Sequence, residues 1–293
     1  MNSDWLAWSN PIAIWWGFLL TVSALNIALW LMLYCAFQKQ ATGRACFRIE
    51  PMLLLCAAYV FGCAFRSVLP RADVARICLF DTWLSSVLVG RSVATVAEVC
   101  FAIQWAIVLR QLARSTKSDL VQSISSVVVP LIILAECSSW YAVSTTSYLG
   151  NTVENSIWAA TFLLIMIALL RLASEFRGLA RFGFGAAVVG IAGYVAFLIT
   201  IDVPMYFSRW QVDIVSGKQL LGLGSGLHDL ATRWVVTREF ADWKDEIAWM
   251  SLYFSVGVWS SLSLCSLGLV KSQLQQYRVS SRTLSARQFQ VAP

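Results

Sequence analysis

The sequence predicts an all-α, polytopic membrane protein, folded as a bundle of seven transmembrane helices, and three observations predict it. The 293 residues are 58% hydrophobic and only 13% charged, whereas about 25% of the residues of a soluble domain are charged. Seven apolar stretches are long enough to cross a bilayer, because about 20 helical residues span a hydrocarbon core of roughly 30 Å. Basic residues concentrate on alternate connections between these stretches.

The predicted spans follow one another with short connections, except before the last. Their predicted bounds are 12–36, 52–70, 87–110, 121–143, 156–173, 184–203 and 247–270. The opening stretch, MNSDWLAWSNP, holds one acid and no base, so it lacks the basic start of a cleavable signal peptide. We therefore expect the first span to remain in the mature protein.

The distribution of charge predicts the orientation of the bundle. Thirteen of the 22 basic residues fall on four segments at one end, namely 38–51, 110–120, 171–182 and 271–293. Because short cytoplasmic loops carry an excess of Lys and Arg, we expect these segments inside and the N-terminus outside. The net charge of +6 is then an orientation signal. We expect membrane lipids and no nucleic acid as partners, and a plasma or inner membrane as the location.

One connection, residues 204–246, is long and lies outside in this topology. A helical spacing of apolar residues includes Leu227, Leu230, Ala231, Trp234 and Val235. It predicts a helix that lies on the membrane surface or covers a site as a lid, while GLGSG at 222–226 predicts a flexible turn. Because no linker or repeat divides the chain, we expect one domain over 1–293 with a basic cytoplasmic tail at 271–293.

Two compositional features indicate packing. The eight cysteines form no CxxC pair and lie mostly inside predicted spans, so we interpret them as small apolar residues of the helix contacts. The sixth span contains GFGAAVVGIAGYVAF. Because glycine and alanine permit close approach of a neighbouring helix, we interpret this stretch as a packing surface.

Charged residues interrupt the outer halves of the spans. In the third span, Arg91, Thr95 and Glu98 recur at spacings of four and three, which places them on one face of a helix. Glu98 lies about 18 Å from the predicted inner end at Arg110, at a rise of 1.5 Å per residue. Both charges of this face therefore lie within the membrane.

Neighbouring spans place polar residues at a similar depth. They are Arg66 in the second span, Glu136 and Trp140 in the fourth, Glu154 at the start of the fifth and Asp202 at the end of the sixth. An ionised side chain at the bilayer centre costs roughly 2.5–3.5 kcal/mol on insertion scales, so such residues face the bundle interior and pair with one another. The pattern predicts a polar pocket, open to the outside and walled by spans two to six. A network of ion pairs that only fixes helix packing is the alternative.

Residue chemistry assigns roles within this pocket. Glu98 and Glu136 are the candidates for catalysis, because two carboxyl groups in different surroundings supply an acid and a base. The candidates for ligand binding are Arg66, Arg91, Glu154, Asp202 and Trp140. The two arginines either bind an anionic head group or hold the acids.

The sequence lacks the residues of several kinds of site. His228 is the only histidine, which excludes a bis-histidine haem and a three-histidine zinc site. The chain contains no P-loop and no dinucleotide-binding fingerprint. We therefore expect no metal and no cofactor.

Three functions stay open. The first hypothesis is a metal-free site that binds a lipid or small amphipathic molecule, with or without acid/base chemistry on it, so the sequence does not decide whether the protein is an enzyme. The second is a proton- or ion-coupled transporter or channel, although the inner half offers only Asn26, Gln104 and scattered serines. The third is a non-catalytic subunit or sensor, whose outer loop binds a protein partner.

Overall fold

The computed structural model describes residues 10–41 and 50–267. Within these residues, seven helices are long and apolar enough to cross a membrane, which confirms the prediction of a membrane protein with seven apolar helices. We call them the first to seventh spans: Pro11–Lys39, Pro51–Val68, Val87–Thr116, Asp119–Thr145, Tyr148–Ala173, Arg181–Val215 and Phe240–Leu267. The predicted tail at 271–293 lies outside the described residues.

The first five spans are each formed by one α-helix. These helices are α1 (Pro11–Ala41), α2 (Pro51–Val68), α3 (Val87–Thr116), α4 (Asp119–Thr145) and α5 (Tyr148–Ala173). The hydroxyls of Ser86 and Ser118 accept the backbone N–H groups of Val89 and Val121 at the starts of α3 and α4. Such N-caps satisfy donors that have no partner within the helix, which allows the connections to be short.

The last two spans are each interrupted by a π-helical turn. The sixth consists of α6 (Leu179–Phe197), the turn Leu198–Asp202 and α7 (Val203–Val215). The seventh begins with α9 (Phe240–Leu252), passes through the turn Tyr253–Gly257 and continues as a helix to residue 267. Helix α8 (Leu223–Thr232) lies in the connection between these spans.

The sequence predicted that the helix of the sixth span ends before Pro204. In the structure the helix continues past this proline to Val215. Proline lacks a backbone N–H and its ring clashes with the carbonyl four residues earlier. The π-helical turn avoids this conflict by changing the hydrogen-bond spacing just before the proline, with the N–H of Val203 donating to the carbonyl of Leu198. The predicted outer loop at 204–246 is therefore helical as far as Val215 and again from Phe240.

Residues 69–86 and 216–239 fold into a cap over one end of the bundle. The cap contains a 3₁₀ turn (Trp83–Ser85) and three two-residue strands, β1 (Arg71–Ala72), β2 (Ile77–Cys78) and β3 (Val235–Val236). Strand β2 pairs antiparallel with β1 and parallel with β3. The all-α prediction missed this sheet. The predicted helix around Leu227 ends at Thr232, because Val235 pairs with the sheet instead.

Helix α8 is attached to the bundle by buried groups at its centre. Leu230 is completely buried, and the guanidinium group of Arg76 donates to Asp229 at 2.9 Å and to the Val143 carbonyl at 2.7 Å. A Cβ at Gly226 would collide with the carbonyl oxygen of Ser144. The GLGSG segment is therefore not a flexible turn: all of it after Gly222 belongs to α8.

The spans pack in sequence, and the seventh returns to the first and second and also contacts the third. Its Phe254 carbonyl accepts the Asn26 side-chain amide at 2.9 Å, and its Ser261 hydroxyl donates to Gln104 at 2.6 Å. The sixth span packs along the fifth, but within the described residues no comparable packing joins it to α9 or to the π-helical turn after α9. The cap-side halves of spans six and seven therefore stand apart.

The sixth span packs along the fifth, as the interpretation of this stretch predicted, but its glycines do not form the close contacts. A Cβ at Gly183, Gly185, Gly190 or Gly193 would meet no atom within 4 Å. The close helix contact is at Gly150 instead, where a Cβ would lie 2.6 Å from that of Ala142.

We expect Gly226→Ala to lower the free energy of unfolding by about 1–3 kcal/mol, the usual cost of overpacking. Gly224→Ala is the matched control, because its Cβ would meet no atom within 4 Å and alanine favours a helix by about 1 kcal/mol. Thermal unfolding in detergent, followed by tryptophan fluorescence, measures both. Equal melting temperatures for the two variants would show that α8 is not docked through Gly226.

Candidate functional site

One arginine from the third span contacts three glutamates from three different spans. The Arg91 Nη2 atom lies 2.9 and 2.8 Å from the two carboxylate oxygens of Glu136, 3.2 Å from Glu98 Oε2 and 3.5 Å from Glu154 Oε1. All four side chains are buried. The residues that were predicted to lie at a similar depth are thus in direct contact. Arg91 pairs with both predicted catalytic acids, Glu98 and Glu136.

Neutral groups complete the hydrogen bonding of the three acids. The Tyr253 hydroxyl donates to Glu98 Oε1 at 2.8 Å, and the Asn151 amide donates to Glu154 Oε2 at 3.2 Å. The Thr95 hydroxyl donates to Glu136 Oε2 at 2.5 Å and accepts the indole N–H of Trp140 at 3.0 Å. Each acid therefore has its own surroundings, although all three share one cation.

The charges of this cluster do not balance. One guanidinium group faces three carboxyl groups, each with an oxygen within 4.8 Å of the others. Three acidic side chains at that spacing are also a set that could hold a metal ion, but Arg91 Nη2 already lies within 3.5 Å of an oxygen from each. Because like charges repel strongly away from water, the remaining negative charge calls for a proton or a positively charged ligand.

A cavity of about 870 Å³, including its open mouth, borders the cluster. Its acidic lining residues are Asp73, Glu98, Glu154, Asp202 and Glu246, and its arginines are Arg66, Arg91 and Arg209. Aromatic rings also line it, including Tyr148, Trp158, Tyr194, Tyr206, Trp249 and Tyr253. The cavity thus combines formal charges with apolar ring faces.

The structure separates the predicted site residues into two groups. Those that line the cavity are Arg66, Arg91, Glu98, Glu154 and Asp202. Glu136 and Trp140 are not among its lining residues: Glu136 holds Arg91, and Trp140 holds Thr95. The fourth span supplies no lining residue and the seventh supplies four, which corrects the prediction that spans two to six form the walls.

Arg66 pairs with the cap and with neither of the predicted catalytic acids. Its guanidinium group lies 3.8 Å from Asp73 and stands over the rings of Trp249 and Phe254, 5.7 and 5.9 Å from their centroids. Asp73 also accepts a hydrogen bond from Arg71 at 2.8 Å. Burial raises the pKa of the Asp73 carboxyl, but Arg71 and Arg66 more than reverse this and hold it below its ordinary value.

A further charged group, which the sequence did not reveal, joins the sixth span to the seventh. Arg209 contacts Asp245 at 2.8 Å and Glu246 at 3.4 Å. Its guanidinium group also lies 5.6 Å from the ring centroid of Tyr148 and 5.8 Å from that of Tyr206. The spacing of Asp202, Tyr206 and Arg209 is helical and was a usable signal, but the prediction ended the helix before Pro204.

Away from the cap, a layer of aromatic rings closes the cavity. Tyr59 stacks on Phe101 at a centroid distance of 4.6 Å, and Phe162 contacts Phe101 at 6.4 Å, Trp158 at 5.8 Å and Tyr194 at 5.1 Å. Trp158 and Tyr194 also line the cavity, so these packed rings border it on the side away from the cap.

Comparison with known proteins finds no matching family model, no matching curated protein and no matching solved structure.

We expect Arg91→Gln to lower the free energy of unfolding by about 3–5 kcal/mol, because it leaves buried carboxylates without their cation. Adding Glu136→Gln should recover part of this loss, since it neutralises the acid that accepts two of the hydrogen bonds. The control is Arg171→Gln, which breaks an exposed pair with Glu175, a kind of pair worth about 1 kcal/mol or less. Additive effects of Arg91→Gln and Glu136→Gln in thermal unfolding would contradict direct coupling.

The ion pairs of Asp73 with Arg71 and Arg66 should make the stability of the fold depend on pH. Its pKa is lower in the folded state, so its contribution is fully present above the unfolded value of about 3.9 and is lost as the pH falls through the folded value. We expect Asp73→Asn to melt at a lower temperature than the wild type above about pH 5, and this difference to close as the pH falls below 4. A difference in melting temperature that is independent of pH would contradict the pairing with Arg71 and Arg66.

Proposed function

We propose that this protein binds a lipid or a small amphipathic molecule in the cavity, with the polar head group among the charged lining residues and the apolar part along the aromatic walls. The observation that carries the proposal is the lining itself, in which eight charged side chains and several ring faces border one space. Ligand sites are typically apolar concavities with a few convergent polar groups. In the proposed orientation, with the N-terminus outside, the cavity lies in the outer half of the bundle, next to the cap.

The separation of the sixth and seventh spans at the cap side supports the proposal that the ligand enters from the membrane. Only 17% of the most apolar window of the sixth span is buried within the protein. At the cap side, the sixth and seventh spans are joined through Arg209, and the apolar side chains of Phe197, Leu198 and Leu252 line the cavity between them. These side chains suit contact with an acyl chain, because lipid tails are similarly apolar.

We further propose Glu98 and Glu154 as the groups that exchange a proton with the bound molecule. Both line the cavity, both contact Arg91, and they differ in their second partners, Tyr253 and Asn151. Two carboxyl groups in different surroundings suit an acid and a base. For Glu136 we propose a positioning role instead of the predicted catalytic one, because it holds Arg91 and is not a lining residue.

The aromatic layer favours a binding site over a transporter or channel. A conduit needs polar groups or water along its whole length, whereas rings such as Tyr59, Phe101 and Phe162 pack together on the side of the cavity away from the cap. The polar groups of the inner half are already used in helix contacts, as in the bond from Ser261 to Gln104.

The test is retention of native molecules by the purified full chain. We expect Glu98→Gln and Glu154→Gln to reduce the amount of co-purifying lipid or small molecule about 10- to 100-fold, the value of one charge-assisted hydrogen bond. Mass spectrometry of the extracts measures this. Glu175→Gln is the matched control, because Glu175 is exposed and pairs with Arg171 outside the cavity.

Melting temperatures separate loss of the ligand from loss of the fold. The two cavity variants should unfold as cooperatively as the wild type. Unchanged retention in both variants would discard the proposed site.

A further inference from the structure

We propose that the molecule bound in this cavity carries a positively charged ammonium group, recognised by Asp202 and by the aromatic rings beside it. This inference rests on the proposed function and names the chemical class of its ligand. The observations that carry it are the charge balance of the lining, the surroundings of Asp202 and the arrangement of the rings.

The arginines of the lining are already bound to carboxylates. Arg66 pairs with Asp73, Arg91 with its three glutamates, and Arg209 with Asp245 and Glu246. An anionic head group would compete with these carboxylates for the same guanidinium groups. A cationic head group would instead compensate the negative charge of the cavity, which is lined by more acidic residues than arginines.

Asp202 is a buried acid of the lining that forms no close ion pair among the described residues, since Arg209 pairs with Asp245 and Glu246 instead. It is only 7% exposed and lines the cavity, yet its carboxylate forms no hydrogen bond or ion pair with any group among residues 10–41 and 50–267. A buried carboxylate without a partner is costly, and it accepts hydrogen bonds but donates none when ionised. It is the last residue of the π-helical turn in the sixth span, a kind of turn that is frequent at functional sites.

Aromatic rings flank this acid along the same helix face. Tyr194, Leu198, Asp202 and Tyr206 recur at intervals of four residues and all line the cavity. An ammonium group is attracted to a ring face within about 6 Å, and cages of aromatic rings are the usual receptor of quaternary ammonium ligands. The rings of this region already hold cations of the chain: Lys218 Nζ lies 4.9 Å from the centroid of Tyr148, and Arg209 lies 5.8 Å from that of Tyr206.

The experiment compares three probes with the same eight-carbon chain and different head groups: octyltrimethylammonium, octyl phosphate and octyl glucoside. Each is isotopically labelled, and its binding to the purified full chain in neutral maltoside micelles is measured by equilibrium dialysis. We expect the ammonium probe to bind about tenfold more tightly than either of the others. Asp202→Asn should remove this preference without changing the binding of the glucoside.

Further variants distinguish loss of the binding site from a general loss of folding. Tyr194→Leu removes a ring face and should weaken the ammonium probe alone, whereas Tyr194→Phe keeps the face and should preserve its binding. Asp119→Asn is the matched control, because Asp119 is exposed and lies in the first turn of α4, outside the lining of the cavity.

The outcomes distinguish this inference from the proposed function. Equal or tighter binding of the phosphate or the glucoside by the wild type would overturn the ammonium class and leave the amphipath site standing. An ammonium preference that survives Asp202→Asn would overturn the assignment of Asp202. Failure of all three probes to bind, together with unchanged retention of native molecules in Glu98→Gln, would overturn both proposals.

Discussion

The contact of Arg91 with three glutamates is the constraint around which the bundle is arranged. Each of these charges is costly inside a membrane unless it is paired, and the partners come from the third, fourth and fifth spans. The same contact therefore fixes the rotation and depth of three helices. It leaves an excess of acid at the edge of the cavity, so the proposed cation site uses the same residues that join the three helices.

The sequence allowed part of this arrangement to be predicted. Apolar length predicted the seven helices, and the helical spacing of Arg91 and Glu98, with Glu136 and Glu154 at a similar depth, predicted that they would meet. Which acid pairs with which arginine was not predictable. Arg66 finds its partner, Asp73, in the cap, and nothing in a sequence pattern shows how a connection folds back over the helices that it joins.

Two further differences have local physical causes. Pro204 indicated the end of a helix, but a π-helical turn carries the sixth span past it, and this places Tyr206 and Arg209 at the cavity. Glycines in the same span indicated close packing, yet their Cα atoms have open space beside them. Glycine permits close contact without requiring it, so composition alone did not locate the helix interfaces, whereas Gly150 and Gly226, at actual close contacts, lie in unremarkable stretches of sequence.

The two π-helical turns bear on the choice between a site and a purely structural ion-pair network. One ends at Asp202 and the other begins at Tyr253, both of which line the cavity, and Tyr253 also donates to Glu98. A network that only held helices together would be served by regular helices, whose hydrogen bonds have better geometry. Pro204 accounts for the first turn, but no proline lies within or beside the second. The interruption of both helices at the cavity wall favours an arrangement in which residues are aimed at a ligand, with Arg91 and Glu136 as its fixed support.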